Sequence, residues 1–417
     1  MKLVTGLLSH TGHRLQNMGL VLACTLILSA CGSVPDRHPY LADANALGSI
    51  GNFEDIRFWG DEAPADLVGL IKSFKPEEAT TTRSALYGTE HDYLAISGGG
   101  QNGAFAAGLL VGWTSLGTRP EFEIVTGIST GALVAPFVFL GPQYDYILQE
   151  VYGTYSTDEL MKKRGYLKAL TGDAMASSAP LKALLEKYLT PDIIEQLAKQ
   201  HETGRQLFVS TTNLDAKRPV IWNITAIAAS RDPQARALIV KVVLASASLP
   251  ATLPPVLFEV EVDGQVYDEL HVDGGVTSQV FVYPSAIDWK FVTSQLNVKG
   301  TPQVWVIRNS KLNPQFDPVK GSLLSIANSS VDSLIRTQGI GDLYQVYINA
   351  LRDNLEFNLA FIPPEFEFES TETFDTEYMR ALFDFAYKKI TNGYGWYRRP
   401  PQLGTGPLRG QSSAVGR

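Results

Sequence analysis

From Asp92 onward the chain alternates short apolar runs with helix-like stretches. Tyr93-Leu-Ala-Ile96 reads as a buried strand, Gly98-Gly99-Gly100 as a loop, and Ala104–Trp113 as a helix rich in small residues. Phe122–Val125 predicts a second strand and Ala132–Leu140 a second apolar helix. Leu207–Thr211 and Val220–Ile224 predict strands either side of a turn at Asn213–Arg218. Phe258–Val262 and Gln265–Tyr267 predict a hairpin with a type I′ turn at Asp263-Gly264, and Pro302–Val306 is a late strand. Such alternation argues for an α/β sheet with helices on both faces. Beyond about residue 320 the texture becomes helical (Leu323–Thr337, Gly341–Leu351, Glu377–Ile390), and the tail after Arg398 predicts disorder. Upstream, residues 32–60 are polar and punctuated by Pro and Gly, as in a tether. Leu67–Phe74 predicts a short helix that Asp66 caps and Lys75-Pro76 ends.

The first thirty residues read as an address. Lys2 and Arg14 precede Met18–Ala30, an uncharged stretch. It is shorter than the roughly 20 residues a bilayer span needs and fits a secretory apolar region. Leu28-Ser29-Ala30-Cys31-Gly32 resembles the lipobox of bacterial lipoproteins. That resemblance implies cleavage before Cys31 and acylation of it, with each buried methylene worth about 0.8 kcal/mol of anchoring. Gly32, where an inner-membrane lipoprotein would carry Asp, implies an outer-membrane destination facing the periplasm.

Composition narrows the function. A 45% hydrophobic and 19% charged chain is globular, and a net charge of −8 gives nucleic acid nothing to bind. The two cysteines, Cys24 and Cys31, both lie near the N-terminus, so the body has no disulfide framework, cysteine nucleophile or cysteine metal site. His38, His91, His201 and His271 lie far apart in sequence, so no metal or other cofactor is expected and activity should be calcium-independent.

Gly127-Ile128-Ser129-Thr130-Gly131 matches G-x-S-x-G between a predicted strand and a predicted helix. A serine on that tight turn exposes its hydroxyl, and Gly127 and Gly131 remove side chains that would collide. Its activation is less obvious. Only His201 and His271 follow Ser129; His201 sits in a polar run, and His271 reads as a strand histidine two residues before Asp273. A carboxylate is the other candidate: Asp273-Gly274-Gly275 ends a strand, and the two glycines permit close approach to another loop. Such a carboxylate must be buried and in direct contact to act as a base. The third element, Gly98-Gly99-Gly100-Gln101-Asn102-Gly103, can aim backbone N–H groups at a developing oxyanion. It also matches the dinucleotide fingerprint G-x-G-x-x-G, with Glu121 and Glu123 where a ribose-binding acid belongs, so both readings stand at this point.

Taken in order, the glycine loop, the elbow at Gly127–Gly131 and Asp273-Gly274-Gly275 resemble the patatin-like phospholipases. Thr212-Asn213-Leu214-Asp215, Ala245–Pro250 and Pro254-Pro255 look like the family too. The resemblance implies a three-layer α/β/α fold and hydrolysis of lipid or other carboxylic esters through an acyl-enzyme. It implies Ser129 as nucleophile, Asp273 as base, and an oxyanion hole from the Gly99 and Gly100 amides with Gly98 shaping it. Two positions depart from the family: Asn102 stands where a basic residue is usual and Ser97 where an acidic one is frequent. A catalytically weak, lipid-binding relative is the alternative those departures leave open. The expected organisation is a signal peptide over 1–30, a lead-in over 31–88, a hydrolase core over 89–310, a helical C-terminal extension over 311–398 and a tail over 399–417. No obligate protein partner is expected.

Overall fold

The computed structural model describes residues 37–39, 47–64, 84–164, 173–313, 316 and 318–401. The leader with Cys31, the expected helix at Leu67–Phe74 and the tail from residue 402 lie outside the described residues.

A nine-stranded sheet organises the molecule. Its strands are β1 (Arg57–Trp59), β2 (Asp92–Ile96), β3 (Ile124–Ile128), β4 (Gln206–Asn213), β5 (Arg218–Asn223), β6 (Val256–Val262), β7 (Gln265–Asp273), β8 (Gln303–Arg308) and β9 (Glu356–Phe361). The order is β1-β5-β4-β3-β2-β8-β9, with the hairpin β6–β7 attached to β4. Strands β4, β3, β2, β8 and β9 run parallel, whereas β5 and β1 are antiparallel to their neighbours. Asp263 and Gly264 both have positive φ, as a type I′ turn requires.

Alternate residues of each parallel strand enter different cores. Leu94 and Ile96 of β2 join one apolar cluster, Tyr93 and Ala95 the other. The first cluster includes α1 (Gly103–Ser115), α2 (Thr130–Leu140), α3 (Asp145–Thr154), α4 (Pro191–Glu202) and α5 (Ala235–Ser246). The second is covered by α6 (Trp289–Gln295) and α7 (Leu323–Arg352), the latter through Leu343, Val346 and Ala350. Helix α8 (Thr376–Thr391) packs outside α1, on the first face. This is the three-layer α/β/α arrangement. Helix α1 is buried from Gly103 to Trp113 because it lies between sheet and α8, which explains its small, all-round apolar sequence.

Several expectations change. Residues 53–59 are no tether: Phe53, Ile56 and Trp59 are core residues, and β1 pairs with β5. The second strand is Ile124–Ile128, so it runs straight into the elbow and does not stop at Val125. The region after residue 310 is not only helical, because Glu356–Phe361 adds a parallel strand beside β8. The two helices expected between Leu323 and Leu351 are one, since a single helix crosses Gly339 and Gly341.

The α1–α8 contact generates a prediction. A Cβ at Gly108 would strike the Phe383 carbonyl oxygen, which is backbone and cannot swing aside, whereas one at Gly341 on α7 meets nothing within 4 Å. Gly108→Ala is expected to cost about 1–3 kcal/mol in chemical denaturation. Gly341→Ala should be neutral or add up to about 1 kcal/mol.

Candidate active site

Strand β4 brings Ser129 and Asp273 together. Ile128, the last residue of β3, pairs with Ser210 of β4, and Asp273, the last of β7, pairs with Thr211. Strands β3 and β7 therefore end on adjacent positions of one edge. Gly274 lets them close, because a Cβ there would strike the Ser210 carbonyl oxygen and lie 3.2 Å from Ile128 Cγ2.

Ser129 occupies the elbow with φ 55° and ψ −124°, a strained conformation for a residue bearing a side chain. Surrounding groups over-determine it. A Cβ at Gly127 would lie 2.6 Å from the Gly131 carbonyl oxygen, and one at Gly131 would strike that of Ile96. The Ser129 amide donates to Ser246 Oγ at 3.0 Å, and that hydroxyl donates to the Ser210 carbonyl at 2.7 Å. The Asp273 amide donates to the Ser248 carbonyl at 2.9 Å. Ser246 and Ser248 thus position both Ser129 and Asp273. Their stretch, Ala245–Pro250, was visible in the sequence only as a family-like string.

The Ser129 hydroxyl faces the Asp273 carboxylate and, as a donor toward it, pulls its pKa down. Asp273 is 2% exposed and also accepts from the Gly275 amide at 2.7 Å. Burial raises its pKa to about 6, against the opposing pull of those two hydrogen bonds.

The glycine loop abuts the serine: a Cβ at Gly98 would sit 3.1 Å from Ser129 Cβ. Gly99 (φ 156°) could bear no side chain, since its Cβ would strike the Asn309 carbonyl oxygen. The Gly98 amide donates to the Gln279 carbonyl at 3.3 Å. Among the described residues, the Gly99 and Gly100 amides have no acceptor. Gly103 leaves room for the Thr130 and Tyr152 hydroxyls, which hydrogen-bond to each other at 2.6 Å.

Neither other reading of the sequence finds support in these contacts. Both ring nitrogens of the fully buried His271 are occupied, Nδ1 by Thr211 Oγ1 at 2.8 Å and Nε2 by Glu269 Oε2 at 3.0 Å. His201 lies on α4. The acids of the dinucleotide reading sit before β3, at the opposite end of the strand from the elbow. Glu121 pairs with Arg205 at 2.7 Å, and Glu123 accepts the Asp92 amide at 2.6 Å. Among the described residues no group of three or more His, Cys, Asp or Glu could share a metal ion. A cavity of about 1250 Å³, lined by Tyr93, Ile124, Phe208, Tyr283 and Trp289, contains neither Ser129 nor Asp273.

A strand–elbow–helix serine beside a buried carboxylate, on an α/β/α scaffold, is an arrangement shared by hydrolases of several families. The sequence model of the patatin-like phospholipase family matches residues 94–284, and this part of the chain is a patatin-like phospholipase domain with the patatin fold. The match supports lipid acyl hydrolase activity in general. No curated protein sequence matches. Among solved structures, VipD from Legionella pneumophila is similar at 12% identity and a TM-score of 0.37, over 73% of this chain and 66% of that one. Human GIVD cytosolic phospholipase A2 with methyl gamma-linolenyl fluorophosphonate is similar at 12% identity and a TM-score of 0.33, over 83% of this chain and 64% of that one. The chain spans slightly under two thirds of both proteins.

The buried Asp273 charge generates a stability prediction. Its folded pKa of about 6 lies above the ordinary 3.8, so the ionised form costs stability. That cost is fully present above about pH 6 and disappears as pH falls toward 3.8. Asp273→Asn should therefore melt above wild type at pH 7.5, and the difference should shrink toward pH 4.

Proposed function

We propose that the protein is an exported, lipid-anchored serine acyl hydrolase that cleaves carboxylic esters of lipids. The observation that carries the reading is the meeting, at the ends of β3 and β7, of an elbow serine in strained backbone with a buried carboxylate, next to a glycine loop whose Gly99 and Gly100 amides have no acceptor among the described residues. In the proposed cycle Ser129 Oγ attacks the ester carbonyl carbon while Asp273 takes its proton. The Gly99 and Gly100 amides stabilise the oxyanion. The tetrahedral intermediate collapses, Asp273 returns the proton to the departing alcohol oxygen, and an acyl-serine remains. Water, deprotonated by Asp273, then attacks the acyl carbon, and Asp273 returns that proton to Ser129 Oγ as the fatty acid leaves.

A carboxylate near its ordinary pKa is a weak base for a hydroxyl, so burial serves the reaction by bringing Asp273 closer to working pH. The base must be ionised, so kcat/KM should rise as pH increases through about 6. Ser129→Ala and Asp273→Asn are each expected to lower fatty-acid release by at least about 1000-fold, since groups acting as a unit fail together. Only the serine variant should also abolish labelling by a fluorophosphonate at its attachment site. Equal release by wild type and both variants would defeat the reading, and a folded wild type that never labels would favour a lipid-binding role. Substrate class beyond lipid esters follows from testing phospholipid, lysophospholipid and triglyceride side by side.

Anchoring and outer-membrane localisation belong to the same proposal and are supported by the lipobox-like Leu28–Gly32. Among the described residues no helix is long and apolar enough to cross a membrane. Cells expressing the full chain should incorporate labelled palmitate into it, and Cys31→Ala should lose the label. Undiminished labelling of that variant would rule out this site of acylation.

A further inference from the structure

The hydrolase reading, on which this inference rests, leaves unexplained a buried cation behind the glycine loop. Arg308 ends β8 and is 3% exposed. Its Nη1 lies 3.5 Å from the Gly98 carbonyl oxygen and donates to Gln279 Oε1 at 3.2 Å. The guanidinium fits over Gly339 of α7, where a Cβ would lie 2.5 Å from Nη2. Gln279 continues the connection, since its Nε2 donates to the Gly275 carbonyl at 2.6 Å and its own carbonyl accepts the Gly98 amide. Asp342 of α7 supplies the nearby negative charge and accepts the Gln279 amide at 2.5 Å. Burial lowers the pKa of Arg308 to about 10, which leaves it protonated at neutral pH.

The Gly98 carbonyl and the Gly99 amide are two ends of one peptide unit. A cation at the carbonyl end polarises the unit and strengthens the N–H at the other, which is the donor offered to the oxyanion. Ser97 Oγ donates to the same carbonyl at 2.7 Å, so two donors hold that peptide from behind. Asn309, the next residue, receives the Ala106 amide at 3.1 Å and donates to the Ser97 carbonyl at 2.9 Å, which fixes the loop's two ends.

We infer that Arg308 is a positioning residue that polarises the Gly98–Gly99 peptide and, through Gln279, locks the oxyanion loop to the Asp273 loop. It brings to the glycine loop, from the end of β8, the positive charge that Asn102 does not carry.

The test uses the full chain in detergent, with p-nitrophenyl butyrate as substrate and a fluorophosphonate to count competent sites at completion. Per labelled site, Arg308→Gln is expected to lower kcat about 10- to 100-fold with KM within twofold, and Arg308→Lys to recover part of the loss. Gln279→Met, which cuts the tie without removing the charge, should lower kcat by a smaller factor. Arg308→Gln with kcat per labelled site within twofold of wild type would overturn the inference. If that variant does not fold, Gln279→Met alone decides, and an unchanged kcat there overturns it equally. A wild type that neither turns over nor labels would instead refute the hydrolase reading itself.

Discussion

The site depends on one edge of β4. Ser210 and Thr211 are neighbours on that strand, yet the first pairs with the end of β3 and the second with the end of β7, which approaches from the opposite direction. A parallel strand and an antiparallel strand thus meet end to end, and the residues that terminate them, Ile128 and Asp273, bring the elbow and the acidic loop together. Strand register is strongly specified when faces are buried, because a slip of one residue exchanges the two faces. The core that fixes β4 thereby fixes the meeting of Ser129 and Asp273. Gly274 is the steric condition for it, and Ser246 adds a clamp between the Ser129 amide and the Ser210 carbonyl.

That geometry explains why a histidine only two residues from Asp273 is turned away from Ser129. Thr211 pairs with Asp273 in the ladder but also binds His271 Nδ1 through its hydroxyl. Trp222 Nε1 donates to the same hydroxyl at 2.8 Å, and the His271 ring packs against Trp222 and Phe258. The other ring nitrogen faces Glu269, which Arg57 of β1 holds at 2.6 Å. His271 is therefore committed to joining the outer strands. Burying such a network is tolerable only when its members are paired, and here they are.

The parts of the site that were legible in the sequence are those whose constraint is local. Gly127 and Gly131 flank a turn that admits no side chains, Gly99 occupies a backbone conformation and a contact that exclude one, and Asp263-Gly264 dictates its hairpin. The strand–helix alternation was legible because each parallel strand is buried on both faces and reads as an apolar run. What was not legible is nonlocal. Phe53, Ile56 and Trp59 sit in a polar stretch whose few apolar residues acquire meaning only beside β5. Strand β9, Glu356-Phe-Asn-Leu-Ala-Phe361, is short and sits between helices, so its partner β8 was needed to reveal it. Ser246, Gln279 and Arg308 act through partners far along the chain, and no spacing rule connects them.

The C-terminal region belongs to the same logic. Gln101 Oε1 accepts the Asp375 amide at 3.0 Å, and Asn102 Oδ1 accepts the Tyr378 hydroxyl at 2.7 Å. These two residues follow the three glycines directly, so α8 and the turn before it also grip the loop. Replacing a basic side chain by Asn at position 102 therefore exchanges charge for a neutral hydrogen bond to a helix that, through Gly108 and Gly112, lies hard against α1. A loop whose Gly99 and Gly100 amides have no acceptor among the described residues is costly to hold in place. Here it is held by contacts from β8, from α8 and from the segment carrying Gln279. The residues beyond 310 are thus part of what keeps the glycine loop in shape, and a chain ending before β9 would lose that support along with the edge of its sheet.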